Sequence, residues 1–339
     1  MQTNKPFKMI ALAVLCLATW AGQVDVSIAQ SDLADEDRAT AMFDLQMSKM
    51  MEGDFADAMG EEFAEMLPDT PDGEVAPDEI SRISGMMTIP NSVQDFEKME
   101  TQPLVGMDYL FKIELVDSEA AEKAMEKMKE EGGSVEIGGE TYFTNDEVEG
   151  MLGRLVNDTT IEVGTEKYLT QPSRDLLSAN LKAAFNKTAD VGFRLVIDLE
   201  SESDLVAEAM AEATKESGGD PMAAGMIQLM DNMADLRLTF DLDADTMLSL
   251  SMTGKSEEDA IELQGGLDGM LGMAKMFGAG AADEIPDPEL AKAAKGIIMG
   301  LQATREGNDV SINIARPANL IEAVKAAMDM GPMGPGGGF

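Results

Sequence analysis

Asp241, Asp243 and Asp245 alternate with Leu242 and Ala244, placing carboxylates at the first, third and fifth positions of a calcium-loop pattern. Carboxylate oxygens suit a hard cation. The pattern stops there. A helix–loop–helix calcium site needs glycine at its sixth position and glutamate at its twelfth. This chain has Thr246 and Met252 at those places. The flanking residues alternate as strands do. The segment reads first as a solvated hairpin turn, with a weak calcium site at Asp241, Asp243 and Asp245 as the alternative.

The missing residues bound the remaining chemistry. The sequence has no histidine, and Cys16 is its one cysteine, close to the N-terminus. Without histidine the usual neutral-pH base and the commonest metal ligand are gone. Serine–histidine–aspartate and cysteine–histidine machinery and histidine-based zinc sites are excluded in their usual forms. The 29 methionines include the helical spacings Met226/Met230/Met233 and Met270/Met273/Met276. Thioethers can bind Cu(I), but methionine also fills cores and adaptable surfaces, the reading preferred here. With 64 acidic residues, any pair can be matched to a glycosidase in sequence. Aromatics are 5% of the chain, too few for the platforms of a sugar cleft. Gly265, Gly266, Gly269, Gly272, Gly278 and Gly280 do not follow a strand in dinucleotide-binding spacing, and no Walker sequence occurs. No catalytic residue and no cofactor is assigned.

These residues belong to an export-type chain. Lys5 and Lys8 precede the apolar run from Met9 to Ala21, and Ser27-Ile28-Ala29 sets small residues at a cleavage site. Residues 1–29 are read as a signal peptide cut after Ala29. Its apolar run is well short of the roughly 20 residues that span a bilayer. A retained anchor, or a lipid on Cys16, remains the alternative, although Leu15 stands where lipoprotein signals carry a small residue. The net charge is −39, and loss of Lys5, Lys8 and Asp25 takes it to −40. Such a chain repels nucleic acid and anionic lipid at long range. Hydrophobic residues still make up 44%, enough for a core and typical of an acidic fold adapted to salt.

Residues 30–67 carry Phe43, Met47, Met50, Met51, Phe55, Met59, Phe63 and Met66 at three- and four-residue intervals, which predicts an acidic, Met-rich helical segment. Residues 68–80 form a Pro/Asp/Gly linker. Beyond it the period becomes two, around 109–115, 193–199, 236–242, 248–252 and 310–314. That alternation predicts half-buried strands. Helices are expected at 117–133, 173–187, 200–219, 255–270 and 287–303, with Ser118, Ser201 or Ser203, and Ser256 as caps. An extra hairpin is expected at 135–144, and turns at Asn157-Asp158 and 243–245. The fold class is α+β: an antiparallel or mixed sheet with helices on one face. Echoes near an 85-residue period suggest two tandem ferredoxin-like halves of βαββαβ order, at 81–199 and 192–330. Residues 331–339 form a low-complexity tail.

The run Gly164-Thr165-Glu166-Lys167-Tyr168-Leu169-Thr170-Gln171-Pro172-Ser173-Arg174 resembles uncharacterised exported acidic proteins of marine bacteria. So does Ile89-Pro90-Asn91-Ser92 together with the strand at 107–116. The resemblance spans about 80–330. It implies secretion and an α+β body and brings no catalytic residues. The expected role is an exported, non-catalytic binding or structural module of the periplasm or cell envelope. Its partner would be a protein or another envelope component. No nucleic-acid partner is expected, nor a transmembrane span after signal cleavage. A carboxylate-based hydrolase or a weak calcium-binding protein is the alternative.

Overall fold

Alternation of apolar and polar residues builds twelve strands into one antiparallel sheet. The computed structural model describes residues 38–59, 75–88, 107–144, 150–170, 176–201 and 229–329. Residues 1–29, read as a signal peptide, most of the expected linker, the expected 200–219 helix beyond Ser201, and the 331–339 tail lie outside those residues. The strands are β1 (Ala41–Leu45), β2 (Ile80–Met87), β3 (Tyr109–Leu115), β4 (Ser134–Ile137), β5 (Glu140–Thr144) and β6 (Leu152–Asn157). They continue with β7 (Thr160–Gly164), β8 (Phe193–Asp198), β9 (Met233–Phe240), β10 (Thr246–Gly254), β11 (Ala303–Glu306) and β12 (Asp309–Ala315). The sheet order is β11-β12-β10-β9-β8-β1-β2-β3-β7-β6-β5-β4.

The helices are α1 (Met47–Met51), α2 (Asp54–Met59), α3 (Ser118–Glu131), α4 (Glu166–Leu169) and α5 (Ala179–Lys187). After them come α6 (Glu257–Asp283), α7 (Pro288–Gly300) and α8 (Leu320–Asp329). Asp117, rather than Ser118, caps α3 by accepting the Ala120 N–H at 2.9 Å. Ser256 caps α6 through the Asp259 N–H, as the sequence leads one to expect.

One face of the sheet is apolar. Phe43, Ile83, Tyr109, Ile161, Val163 and Leu195 lie there with Met125 and Met128 of α3. Leu263 and Leu267 of α6 cover the same face further along, over Met252, Val310 and Ile312. The opposite face is polar except where α4 and α5 lay Tyr168, Leu169, Leu181 and Phe185 on Met86, Leu110 and Val196. Helices therefore occupy both faces, not one. The sequence pattern concealed this because α4 and α5 cover only a patch.

Residues 41–45 form a strand rather than the start of a helix. Phe43 and Met47 are spaced as on a helix, but Ala41, Phe43 and Leu45 also alternate, and pairing with both β2 and β8 decides the outcome. The ferredoxin-like order is corrected for the same reason. It would set β3 beside β8, but β1 and β2 lie between them, and β8 pairs with β9 rather than β10.

A different correspondence governs the sheet. Phe43 faces Leu195 at the β1–β8 seam. Outward on one side the register runs Phe43, Gly85, Phe111, Val163, Gly153. On the other it runs Leu195, Leu238, Leu250, Ile312, Ala303. Strands β1, β2, β3, β6 and β7 thus match β8, β9, β10, β11 and β12, at a spacing of about 150 residues. The match extends to single hydrogen bonds. Leu115 N–H to Thr159 O and Gly254 N–H to Asn308 O are both 2.8 Å. Val116 N–H to Glu79 O and Lys255 N–H to Asn232 O are both 3.0 Å. The caps of α3 and α6 occupy matching places. Beyond its first turns α6 runs on and returns as α7, and this hairpin has no counterpart in the first half, where β4 and β5 fill the connection.

Candidate functional site

Alternation that buries Phe43 and Leu45 turns Asp44 to the polar face. The same geometry brings Arg82 from β2 and Arg194 from β8 to either side of it. Arg82 donates to Asp44 through Nε at 2.6 Å and Nη2 at 2.9 Å. Arg194 donates through Nε at 3.0 Å and Nη2 at 2.7 Å. The Asp44 side chain is 1% exposed. The Arg194 guanidinium lies 4.2 Å from the centroid of Phe185 on α5, a cation–π contact that closes the cluster. Burial alone would raise the Asp44 carboxyl. The bonds from Arg82 and Arg194 outweigh it and hold the group below the usual carboxylate range.

A second cluster lies on the other half. Arg237 Nε is 2.9 Å from Asp235, and Arg237 Nη2 donates to Thr253 at 3.0 Å and to Asp309. Thr253 donates to Asp309 at 2.6 Å, and Lys187 approaches it to 3.3 Å from the end of α5. Burial would raise Asp309, and the Thr253 and Arg237 bonds bring it down. Lys187, Arg237, Asp309, Ser251, Ser311 and Asn313 line an open trough of about 550 Å³. A third cluster joins Arg154 to Glu162 at 2.8 Å, with Glu140 and the Tyr142 hydroxyl completing it near the far edge.

These arrangements pair cations with carboxylates. A carboxyl group serving as general acid near neutral pH needs its pKa raised. Asp44, Glu79 and Asp309 are all held below the usual carboxylate range. Glu79 is held down by the Ala76 N–H and by Lys123. Burial pushes the Tyr109 phenol up, on the apolar face away from all three clusters. The trough can accept a polar molecule through its hydroxyl and amide groups.

The three aspartates singled out in sequence lie in the β9–β10 turn and have separate tasks. Asp241 accepts the Asp243 N–H at 2.9 Å and the Gly192 N–H at 3.3 Å. Asp243 accepts the Phe55 N–H at the start of α2 at 2.7 Å, and Arg316 lies 3.7 Å away. The Asp245 side chain is exposed, and its carbonyl accepts the Arg316 N–H at 2.9 Å. Among the described residues, no group of three or more acidic residues is placed to hold a metal ion. Calcium and magnesium at matched ionic strength should therefore raise the melting temperature equally. Sodium chloride raised toward about 0.5 M should raise it as well, by screening the like charges. An excess effect of calcium would assign an oxygen-ligand site to this turn.

Arg82, Arg194, Arg237 and Asp309 were not singled out in sequence. Their one available signal was charge at alternate strand positions, which a solvated face shares.

No family model matches the chain, and no curated protein matches it. Among solved structures it is similar to crystal forms of TP0453. Form III is 9% identical, with a TM-score of 0.38, covering 88% of this chain and 99% of that one. Form I is 11% identical, with a TM-score of 0.38, covering 88% and 98%. Form IV is 9% identical, with a TM-score of 0.39, covering 91% and 99%. The class that the chain's own elements define is α+β, with helices on an antiparallel sheet.

Proposed function

We propose that the chain is an exported, non-catalytic binding or structural module of the periplasm or cell envelope. The observation that carries the non-catalytic part is the pairing on the polar face, where Asp44, Asp235, Asp309 and Glu162 each face an arginine. Asp44, Asp309 and Glu162 tie different strands together through these arginines, and Asp44 and Asp309 are held below the ordinary carboxylate range, which makes them poor proton donors. The trough beside Asp309 is the place on this face where a polar ligand or an envelope partner would bind. Among the described residues, no helix is long and apolar enough to cross a membrane. The strand-by-strand match of the two halves supports an internal duplication with β1 and β8 opening equivalent units.

Export is carried by Lys5, Lys8, the short apolar run and Ser27-Ile28-Ala29. Expression in a bacterial host followed by fractionation and N-terminal sequencing tests it. Gln30 or a near neighbour should be found at the N-terminus of the envelope or secreted fraction. An intact Met1 on a protein confined to the cytoplasm would remove the proposal.

A further inference from the structure

The trough on the second half has a cause in the repeat. A row of cross-strand neighbours, Arg237, Ser251, Ser311 and Thr304, runs from β9 to the edge strand β11. The equivalent row in the first half is Ser84, Lys112, Glu162 and Arg154. There the side chains are long, and Arg154 closes on Glu162 at 2.8 Å. In the second half the hydroxyls of Ser311 and Thr304 stand in place of that ion pair, and Ser251 stands in place of Lys112. Short side chains on three neighbouring strands leave the hollow of about 550 Å³. Small-ligand sites fall in the range of about 300–1,000 Å³. At the usual strand spacing the row crosses about 14 Å of sheet.

The lining selects by chemistry. Its side chains are all charged, hydroxyl or amide, so an apolar ligand gains little there. Its charges cancel. Lys187 and Arg237 both meet Asp309, and Arg237 also meets Asp235. Arg305 and Glu306 add one charge of each sign. A small anion would have to approach against the field of a chain at −39. A small cation would meet Lys187 and Arg237. Hydrogen-bonding capacity of both kinds remains. Arg237, Thr253 and Lys187 all donate to Oδ1 of Asp309, which leaves Oδ2 to accept from a ligand. The Thr304 and Ser311 hydroxyls share one contact at 3.1 Å, and those of Ser249 and Ser251 share one at 3.4 Å. Each hydroxyl has one donor and two acceptor sites, so most of these stay open. Asn313 is exposed and offers an amide donor and acceptor.

We propose that the trough binds a neutral, polyhydroxylated ligand, a short oligosaccharide, laid along the row from Arg237 to Thr304. The proposal rests on the trough being the ligand-binding place of this face. Sugar hydroxyls both donate and accept, which matches a lining that offers both and carries no net field. Bonds to Asp309 Oδ2 and from the Lys187 ammonium are charge-assisted and are the strongest available. No aromatic ring lines the trough, so stacking adds nothing and the grip rests on hydrogen bonds alone. A Kd of about 1 mM is expected.

Amide NMR shifts of the isotope-labelled chain from Gln30 onward test the proposal. Maltotriose, cellotriose and triacetylchitotriose are the neutral probes, with citrate and spermidine as charged ones. At least one trisaccharide should give saturable shifts at Arg237, Ser251, Ser311 and Asn313, and the charged probes should not. Ser311→Glu with Thr304→Arg installs in this half the pair that Glu162 and Arg154 form in the other. That variant should melt as the parent does, fill the trough and abolish the saturable shifts. Asn313→Ala, at an exposed position, should keep the fold and weaken binding by about threefold to tenfold, the loss of one hydrogen bond. Saturable shifts at the trough with citrate or spermidine, and with no trisaccharide, would overturn the oligosaccharide and keep the trough as a binding place. No saturable shift there with any probe would overturn both. Trisaccharide binding indifferent to both variants would put the ligand elsewhere and overturn the proposal.

Discussion

Asp44→Ala should destabilise the fold by about 3–5 kcal/mol, the range for removing one partner of a buried ion pair. Asp44 receives bonds from arginines on both neighbouring strands, so its loss leaves two guanidinium groups uncompensated at the seam. They differ in their escape routes. The Arg82 side chain is 39% exposed and can rehydrate, whereas Arg194 is 14% exposed and is held against Phe185. The penalty therefore falls mainly on Arg194 and should lie toward the lower end of that range. Urea melts of parent and variant measure it through the midpoint. Acid supplies a second reading. The folded carboxyl is depressed below its unfolded value, so its contribution is present above about pH 4. It is lost as pH falls through the folded value. The gap between the parent and Asp44→Asn should therefore shrink below about pH 4, and a gap that widened there would reverse the assigned direction.

Phe43→Ala should cost about 3–5 kcal/mol by leaving a cavity at the centre of the sheet. Phe43 is 1% exposed and meets the Phe111 ring edge-on, with centroids 5.5 Å apart. Gly85 lies between the two rings, where a Cβ would be 2.5 Å from Phe111 and 2.7 Å from Phe43. The rings therefore occupy the space a side chain at 85 would take, and truncating Phe43 opens a void that this glycine cannot fill. The urea midpoint should fall with little change in slope. A cost below about 1 kcal/mol would mean that the seam can collapse onto the gap.

Much of the fold was legible because a half-buried strand carries its signature locally. Phe111, Ile113 and Leu115 alternate with Lys112 and Glu114, and β3 takes the expected bounds, Tyr109–Leu115. The hairpin of β4 and β5 follows from Gly138 and Gly139, both with positive φ, as a tight two-residue turn requires. β1 was illegible because AMFDL is five residues long and fits either period. Only partners distant in sequence, Gly85 and Leu195, settle its state. The frame of the repeat was lost with it, since the seam joins β1 to β8 across the first half of the chain. The candidate sites divided in the same way. Asp241, Asp243 and Asp245 stood out because they are adjacent in sequence. Asp44, Arg82 and Arg194 did not, because three strands assemble them.

The claim that the charged face binds or braces rather than catalyses is tested most directly by a broad hydrolase screen of the purified chain from Gln30 onward, from acid to neutral pH. Glycosidic, ester and peptide substrates should each be offered to the parent and to Asp309→Asn, the carboxylate that lines the trough. Rates equal to the buffer blank for both proteins are expected. Turnover by the parent that disappears in Asp309→Asn, with both proteins melting as folded species, would contradict the account.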